Sequence, residues 1–308
     1  MFSMITKARR LELPVDVIID IFDLTVLPVL LYGCEVWGCS NFSDIEVFYR
    51  SFLKIILKLG KSTPNCMVYG ETGKLPLQLN IEKRLISFWI KVTEDSPIKI
   101  AVKIYKAMHL LQDNSTLSSK NLDGYNFKWL NKIKTILQCS GYQNLWEMQG
   151  QYDTKLPLSK NIYQSIKDIM LDVWQNKVQT GSRCTNYRIF KQTLGLEFYL
   201  TNLSPLFRLY MCRFRCVYNR LPANKFKSRN ETVIDKSCKL CDLSDVGDEY
   251  HFIFKCSYFE IERNLYLKRY YRINPSTNKM QQLFCSKNKV VLRKLAKFQG
   301  IILGKFSK

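Results

Sequence analysis

The 308-residue sequence predicts a mainly α protein, an extended multi-helix array with one small irregular module near the C-terminus. Three observations carry that expectation. Apolar residues recur at the spacing of a buried helix face almost throughout, and the alternation expected of strands is nearly absent. One stretch, CKLCDLSDVGDEYHFIFKC at 238–256, breaks the periodicity and gathers three of the eleven cysteines with one of the two histidines.

Taken in order, NFSDIEVFYRSFLKIILKLG (41–60) places Ile45, Phe48, Phe52, Ile55, Ile56 and Leu59 on one helical face. Ser43 with Glu46 reads as a capping box and Gly60 as a stop. In STPNCMVYG (62–70), Thr63 before Pro64 starts a second helix that Gly70 should end. NIEKRLISFWIKVTE (80–94) turns Ile81, Leu85, Phe88, Trp89 and Val92 to one side. The polar stretch DNSTLSSKN (113–121) reads as a linker. Further helices are expected near 126–139, 160–179, 202–219, 257–272 and 287–300, with short strand possibilities at Val26–Tyr32 and 232–240. This divides the chain into a helical region 1–112, a helical linker region 113–200 and a basic helical region 201–308 that contains the module, at about 236–258.

A hydrophobic content of 46% with 13% aromatics supplies a buried core and argues against intrinsic disorder. The longest apolar run, Leu24–Tyr32, is broken by Pro28 and falls short of the ~20 residues that cross a bilayer, so no membrane association is expected. The opening MFSMITKARRLELPVDVIID has no apolar segment followed by a small-residue cleavage site. The expected location is therefore intracellular, nuclear or cytoplasmic, and the cysteines are expected as reduced thiols or metal ligands.

The net charge of +21 is unevenly spread. Residues 1–60 carry six basic and seven acidic side chains, a net of −1. Residues 181–230 set ten basic side chains against Glu197 alone, +9, and 257–308 set twelve against Glu260 and Glu262, +10. Between them, 231–256 has three basic and six acidic residues, −3. A basic surface interrupted by a small acidic module is the electrostatic footprint of a polyanion binder, with RNA and DNA both open as partners. Arg208, Arg213, Arg215 and Arg220 fall on one predicted helix with Tyr210, Phe214 and Tyr218, followed by Lys225, Lys227 and Arg229. Arginines beside aromatic rings suit phosphate contact with base stacking, although the four-residue spacing of the rings reads as a core face. Cys212 and Cys216 on the same helix read as small buried thiols, and His109 as a lone residue on a helix face.

The module carries the most specific signal. Zinc takes four soft or borderline ligands in a tetrahedron, and thiolate with imidazole suits it. Cys238 and Cys241, two residues between them, can reach one ion from a tight turn, and His251 with Cys256 supplies a second pair. Residues five apart point about 140° from each other on a regular helix, so the helix carrying His251 must end or bend before Cys256. Gly247 suits a turn, and Asp248 with Glu249 suit a helix N-terminus. With all four ligands from the protein no coordination position stays open, and the expected ion is a structural Zn2+. The competing reading is a trio of core cysteines with an incidental histidine.

The blocks LPVLLYGCEVWG (27–38), KSTPNCMVYGETGKLPL (61–77), LFRLYMCRFRCVYNRLP (206–222), the module, and FQG (298–300) stand in an order that resembles the C-terminal region of non-LTR (LINE-type) retrotransposon reverse transcriptases. The resemblance implies that residues from about 15 to 110 form thumb and connector, so that 1–112 is thumb-like. It further implies that Cys238, Cys241, His251 and Cys256 are the family's CCHC zinc ligands, and that this region binds element RNA and target DNA in target-primed reverse transcription. Full-length relatives are RNA-directed DNA polymerases, whose palm holds two divalent ions on paired aspartates. No Asp-Asp occurs in this sequence, so the chain itself is not expected to be an enzyme. The expected function is that of a zinc-stabilised nucleic-acid-binding C-terminal fragment. The alternatives are a zinc-containing protein–protein interaction scaffold, or the C-terminal part of a complete reverse transcriptase whose palm lies upstream.

Overall fold

Where the apolar residues keep helical spacing, helices form. The computed structural model of the protein describes residues 5–7, 10–93, 99–117, 126–151, 157–217, 221–224 and 235–306. Among these the chain is mainly α, a multi-helix array whose extended pairing is limited to two isolated bridges, Thr72–Leu196 and Ser237–Val246. No helix among the described residues is long and apolar enough to cross a membrane. The strand expectation at Val26–Tyr32 gives way to a helical turn, Leu27–Leu30, and that at 232–240 leaves only the Ser237 bridge among its described residues.

Two compact units are present, each assembled from separated stretches: Met1–Val26, Arg50–Lys74 and Trp174–Lys308 in one, Leu27–Tyr49 and Leu75–Val173 in the other. This corrects the succession 1–112, 113–200 and 201–308. A helix buries its apolar stripe against whichever complementary stripe the fold brings to it, and chain order does not restrict that choice. The presumed linker at 113–121 is likewise helical as far as Leu117, the end of a helix that begins at Lys99.

In the second unit, Ile81, Leu85, Trp89 and Ile90 of the Gln78–Thr93 helix meet Leu130, Ile133 and Leu137 of the Lys128–Cys139 helix and Ile162 and Ile166 of the Leu158–Thr180 helix. Trp89 donates its indole N–H to the Tyr105 hydroxyl at 3.1 Å, which satisfies the one polar atom its burial would otherwise strand. The LLYGCEVWG block lies here. Trp37 donates to the Tyr32 carbonyl at 2.8 Å, and Arg84 reaches the Leu31 carbonyl at 2.9 Å. The expected capping box is rearranged. The Asn41 side chain accepts from the Ser43 N–H, and Glu46 accepts instead from the Leu77 N–H at 2.8 Å.

In the first unit, Phe22 of the Val15–Thr25 helix stacks on Phe52 with ring centroids 3.9 Å apart, and Phe190 stacks on Phe284 at 4.8 Å. The Asn65–Thr72 helix runs past Gly70 and stops at Gly73, whose φ of 66° is the left-handed geometry that closes a helix and that glycine adopts without penalty. The expected helix 202–219 appears as Phe198–Asn202 followed by Pro205–Arg215, with Pro205 at the first turn. Between 257 and 306 the single helices expected at 257–272 and 287–300 become Glu260–Tyr266, Arg269–Arg272, Thr277–Phe284 and Lys289–Lys305.

Candidate metal centre and basic surface

Everything in this site belongs to the first unit. The module starts as a narrow extended turn: the Ser237–Val246 bridge is reinforced by Cys238 N–H donating to the Asp245 carbonyl and Gly247 N–H to the Lys236 carbonyl, both at 2.8 Å. Cys238 and Cys241 sit on this turn. Asp248 then caps the Glu249–Phe254 helix, its carboxylate accepting the His251 N–H at 2.8 Å. The helix ends at Phe254 as the ligand spacing required, and the Cys256 N–H folds back to the His251 carbonyl at 2.9 Å. That reversal brings Cys256 to the same side as His251.

The four ligand atoms of Cys238, Cys241, His251 and Cys256 all lie within 4.8 Å of one another, and the group could hold a metal ion. The Cys238 and Cys256 sulfurs are 3.9 Å apart, and the Cys241 sulfur is 3.4 Å from His251 Nε2. The Leu240 N–H points at the Cys238 sulfur at 3.4 Å, a donor suited to a thiolate. His251 Nδ1, turned from the sulfurs, faces the Asp245 carboxylate at 3.7 Å. Burial holds the imidazole below its ordinary pKa, hence neutral and ready to coordinate. Burial also pushes the Cys256 thiol up to about 12 and raises Cys238, so the pocket calls for a cation if the sulfurs are to ionise.

The module is seated on the helical body by groups that look acidic in sequence. Glu249 is buried and accepts from the Asn186 and Asn224 amides at 2.8 and 2.7 Å, and burial raises its carboxyl pKa. Arg263 donates to the Ile253 and Cys256 carbonyls. Phe252 and Phe254 are buried packing residues. Asp235 pairs with Lys239 and Asp245 with Lys255. Two of the module's carboxylates are thus paired with lysines and a third, Glu249, is withdrawn from solvent.

The expected row of arginines is not a common exposed face. Arg208 donates to the Leu13 and Leu200 carbonyls at 3.3 Å, and Arg213 is half-buried. Arg220, Lys225, Lys227 and Arg229 lie outside the described residues. Arg215 requires a correction: it is 1% exposed and cannot reach a phosphate. Its guanidinium grips Glu71 at 3.0 Å through Nε and Nη2, reaches Glu197 at 3.0 Å and donates to the Phe284 carbonyl at 3.1 Å. Tyr199 donates to Glu71 at 2.6 Å, and Lys191 pairs with Glu197. Cys212 and Cys216 are buried thiols, and no third ligand joins them among the described residues.

A positive surface exists, on an element to which no site residue was assigned. Along the Lys289–Lys305 helix, Leu292, Leu295, Ala296, Phe298 and Ile302 are buried, while Lys289, Arg293, Lys294, Lys297 and Lys305 are exposed. No acidic residue occurs between Cys285 and Phe306. The signal was legible as basic residues at 289, 293 and 297, four apart, opposite an apolar stripe.

No known family model matches the chain, and neither curated proteins nor solved structures give a significant match.

Proposed function

We propose that the chain is a nucleic-acid-binding piece of a LINE-type retrotransposon reverse transcriptase, lying beyond the polymerase palm and stabilised by one structural zinc ion. The observation that carries this reading is the solvent face of Lys289–Lys305, five basic side chains with no acid among them. Phosphate contacts made by such a face release condensed counterions, so affinity for RNA or DNA falls linearly with salt on a log–log plot. Zinc is the favoured ion because bonds of about 2.3 Å to sulfur and about 2.0–2.1 Å to nitrogen spread tetrahedral ligand atoms about 3.5–3.8 Å apart. Two of the six separations, 3.9 and 3.4 Å, lie close to that range, and all six fall within 4.8 Å. Residues Cys238, Cys241, His251 and Cys256 would hold it in a closed shell, which anchors the fold and activates no water. The paired aspartates of a polymerase are not in the sequence, so binding and not nucleotide transfer is the assigned role.

Two measurements test the reading together. Elemental analysis of the reduced, folded chain should return one zinc per chain, and Cys238→Ser should abolish it. Titration of single-stranded RNA at several salt concentrations should give a steep negative slope. A metal-free folded chain removes the zinc assignment, and a flat salt response removes the phosphate mechanism.

A further inference from the structure

The Cys66 and Cys184 sulfurs lie 3.7 Å apart although 118 positions separate them in sequence. We propose that this pair is a redox-active dithiol, which closes to an intramolecular disulfide on meeting a low-molecular-weight disulfide of the glutathione class. The inference is independent of the nucleic-acid reading.

The two sulfurs have unlike surroundings. Cys66 is partly exposed and stands in the first turn of the Asn65–Thr72 helix, where the positive end of the helix dipole favours negative charge. Cys184 is buried at the end of the 3-10 turn Ser182–Cys184. The hydrogen bond between the two sulfurs lowers the Cys66 pKa to about 7, outweighing burial, with help from the Met67 and Cys66 amides and the Lys177 charge. The same hydrogen bond, with burial, holds Cys184 as the thiol. Arg183 and Arg188 add further positive charge around it. An accessible thiolate beside a sheltered thiol is the arrangement of an attacking and a resolving cysteine. The other cysteines are placed differently. Cys238, Cys241 and Cys256 converge with His251 on the candidate metal site, and Cys212 and Cys216 are sealed in the core. No third ligand joins Cys66 and Cys184 among the described residues, so a metal is not the explanation of their approach.

The exchange balances in two steps. The Cys66 thiolate attacks one sulfur of the small disulfide, whose S–S bond breaks, and one small thiolate leaves with the electron pair. That thiolate takes up the proton that Cys184 releases. The Cys184 sulfur then attacks the Cys66 sulfur of the mixed disulfide, and the second small thiolate departs. Two protein thiols are oxidised and one disulfide is reduced to two thiols. The product ties the Asn65–Thr72 helix to the turn that follows the Leu158–Thr180 helix.

The test uses the full chain as purified, incubated with oxidised glutathione without denaturant, then alkylated, digested and mapped by mass spectrometry. A peptide linked through Cys66 and Cys184 should appear before any other cross-link and disappear on adding dithiothreitol. Cys184→Ala should trap glutathione on Cys66 as a stable mixed disulfide, and Cys66→Ser should leave Cys184 fully alkylated. The proposal is overturned if, in the unaltered chain, Cys66 retains glutathione while Cys184 stays free. It is also overturned if Cys66 reacts no faster than the exposed Cys139. Because the unaltered chain decides the matter, a folding defect in either variant does not protect the idea.

Discussion

The helices Pro205–Arg215 and Lys289–Lys305 read alike in sequence and are used in opposite ways. Both belong to the same unit, both mix Lys or Arg with aromatic and aliphatic residues, and neither contains an acid. The first sends Arg215 into the core and spends Arg208 on backbone carbonyls. The second keeps its five cations in solvent. The difference lies in what the rest of the fold offers. Glu71, 144 positions before Arg215, is buried where a bidentate partner can reach it, and Glu197 closes the other side. A local count that sets ten basic residues against Glu197 overstates the free positive charge, because the missing acid is supplied from far along the chain. The charge of a segment is fixed by its residues, but whether that charge is available to a partner is fixed by tertiary pairing.

The largest expected effect comes from breaking the inward half of this contrast. Arg215→Met keeps most of the volume and leaves Glu71 buried without its counter-ion, which should cost about 3–5 kcal/mol in denaturant unfolding. A loss below about 1 kcal/mol would mean that Arg215 is not the residue that holds Glu71. The pH dependence carries the same signature. Burial pushes the Glu71 carboxyl up, but Arg215, Lys191 and the Tyr199 hydrogen bond outweigh it and hold the pKa below the ordinary carboxylate value. A depressed folded-state pKa contributes stability above the unfolded carboxylate range, and that stability is lost as pH falls through the folded value. The unaltered chain should therefore lose stability on acidification below about pH 4, and Arg215→Met should lack that component.

A smaller effect is expected where the two helices touch. A Cβ added at Gly300 would lie 2.6 Å from Tyr210 Cε2, closer than carbon atoms approach. Gly300→Ala should destabilise by about 1–3 kcal/mol through overpacking, and Tyr210→Ala in the same chain should recover part of that loss. If Gly300→Ala is neutral, the crossing is looser than a 2.6 Å approach to Tyr210 and the glycine of FQG has no packing role.

The same contrast shows how far the sequence could be read. The helical class followed from periodicity, because an apolar stripe is a local property of the chain. The Cys/His group that could hold a metal ion was also legible residue by residue. Cys-x2-Cys and His-x4-Cys encode a turn and an interrupted helix, and the break at Phe254 follows from the requirement that His251 and Cys256 converge. What escaped was long-range pairing. Nothing near Glu71 announces that it will meet Arg215, and nothing near Cys66 announces Cys184. The interleaved units escaped for the same reason, since stripes at 15–25 and 205–215 carry no label naming the partners they will bury against. Gly73, not Gly70, ends its helix because apolar burial continues through Val68 and Tyr69 to Thr72, and a glycine stops a helix only where the backbone turns left-handed.

The last prediction addresses the outward half of the contrast, and its expected effect on stability is the smallest. Arg293→Gln, Lys294→Gln and Lys297→Gln together remove three charges carried by exposed side chains, so unfolding free energy should stay within about 0.5 kcal/mol per site. Binding should respond instead. If each side chain neutralises one phosphate of a single strand, the log–log salt slope becomes shallower by about 0.7 for each, roughly 2 in total. Slope is the better readout than affinity at one salt concentration, because it counts phosphates neutralised, whereas affinity also moves when stacking or hydrogen bonds change. Arg208→Gln is the matching control on the other helix. Its guanidinium is engaged with the Leu13 and Leu200 carbonyls, so the change should reduce stability and leave the slope alone. A triple variant with an unchanged slope would show that the outward cations are only hydrated, and the difference between the two helices would then concern folding and not recognition.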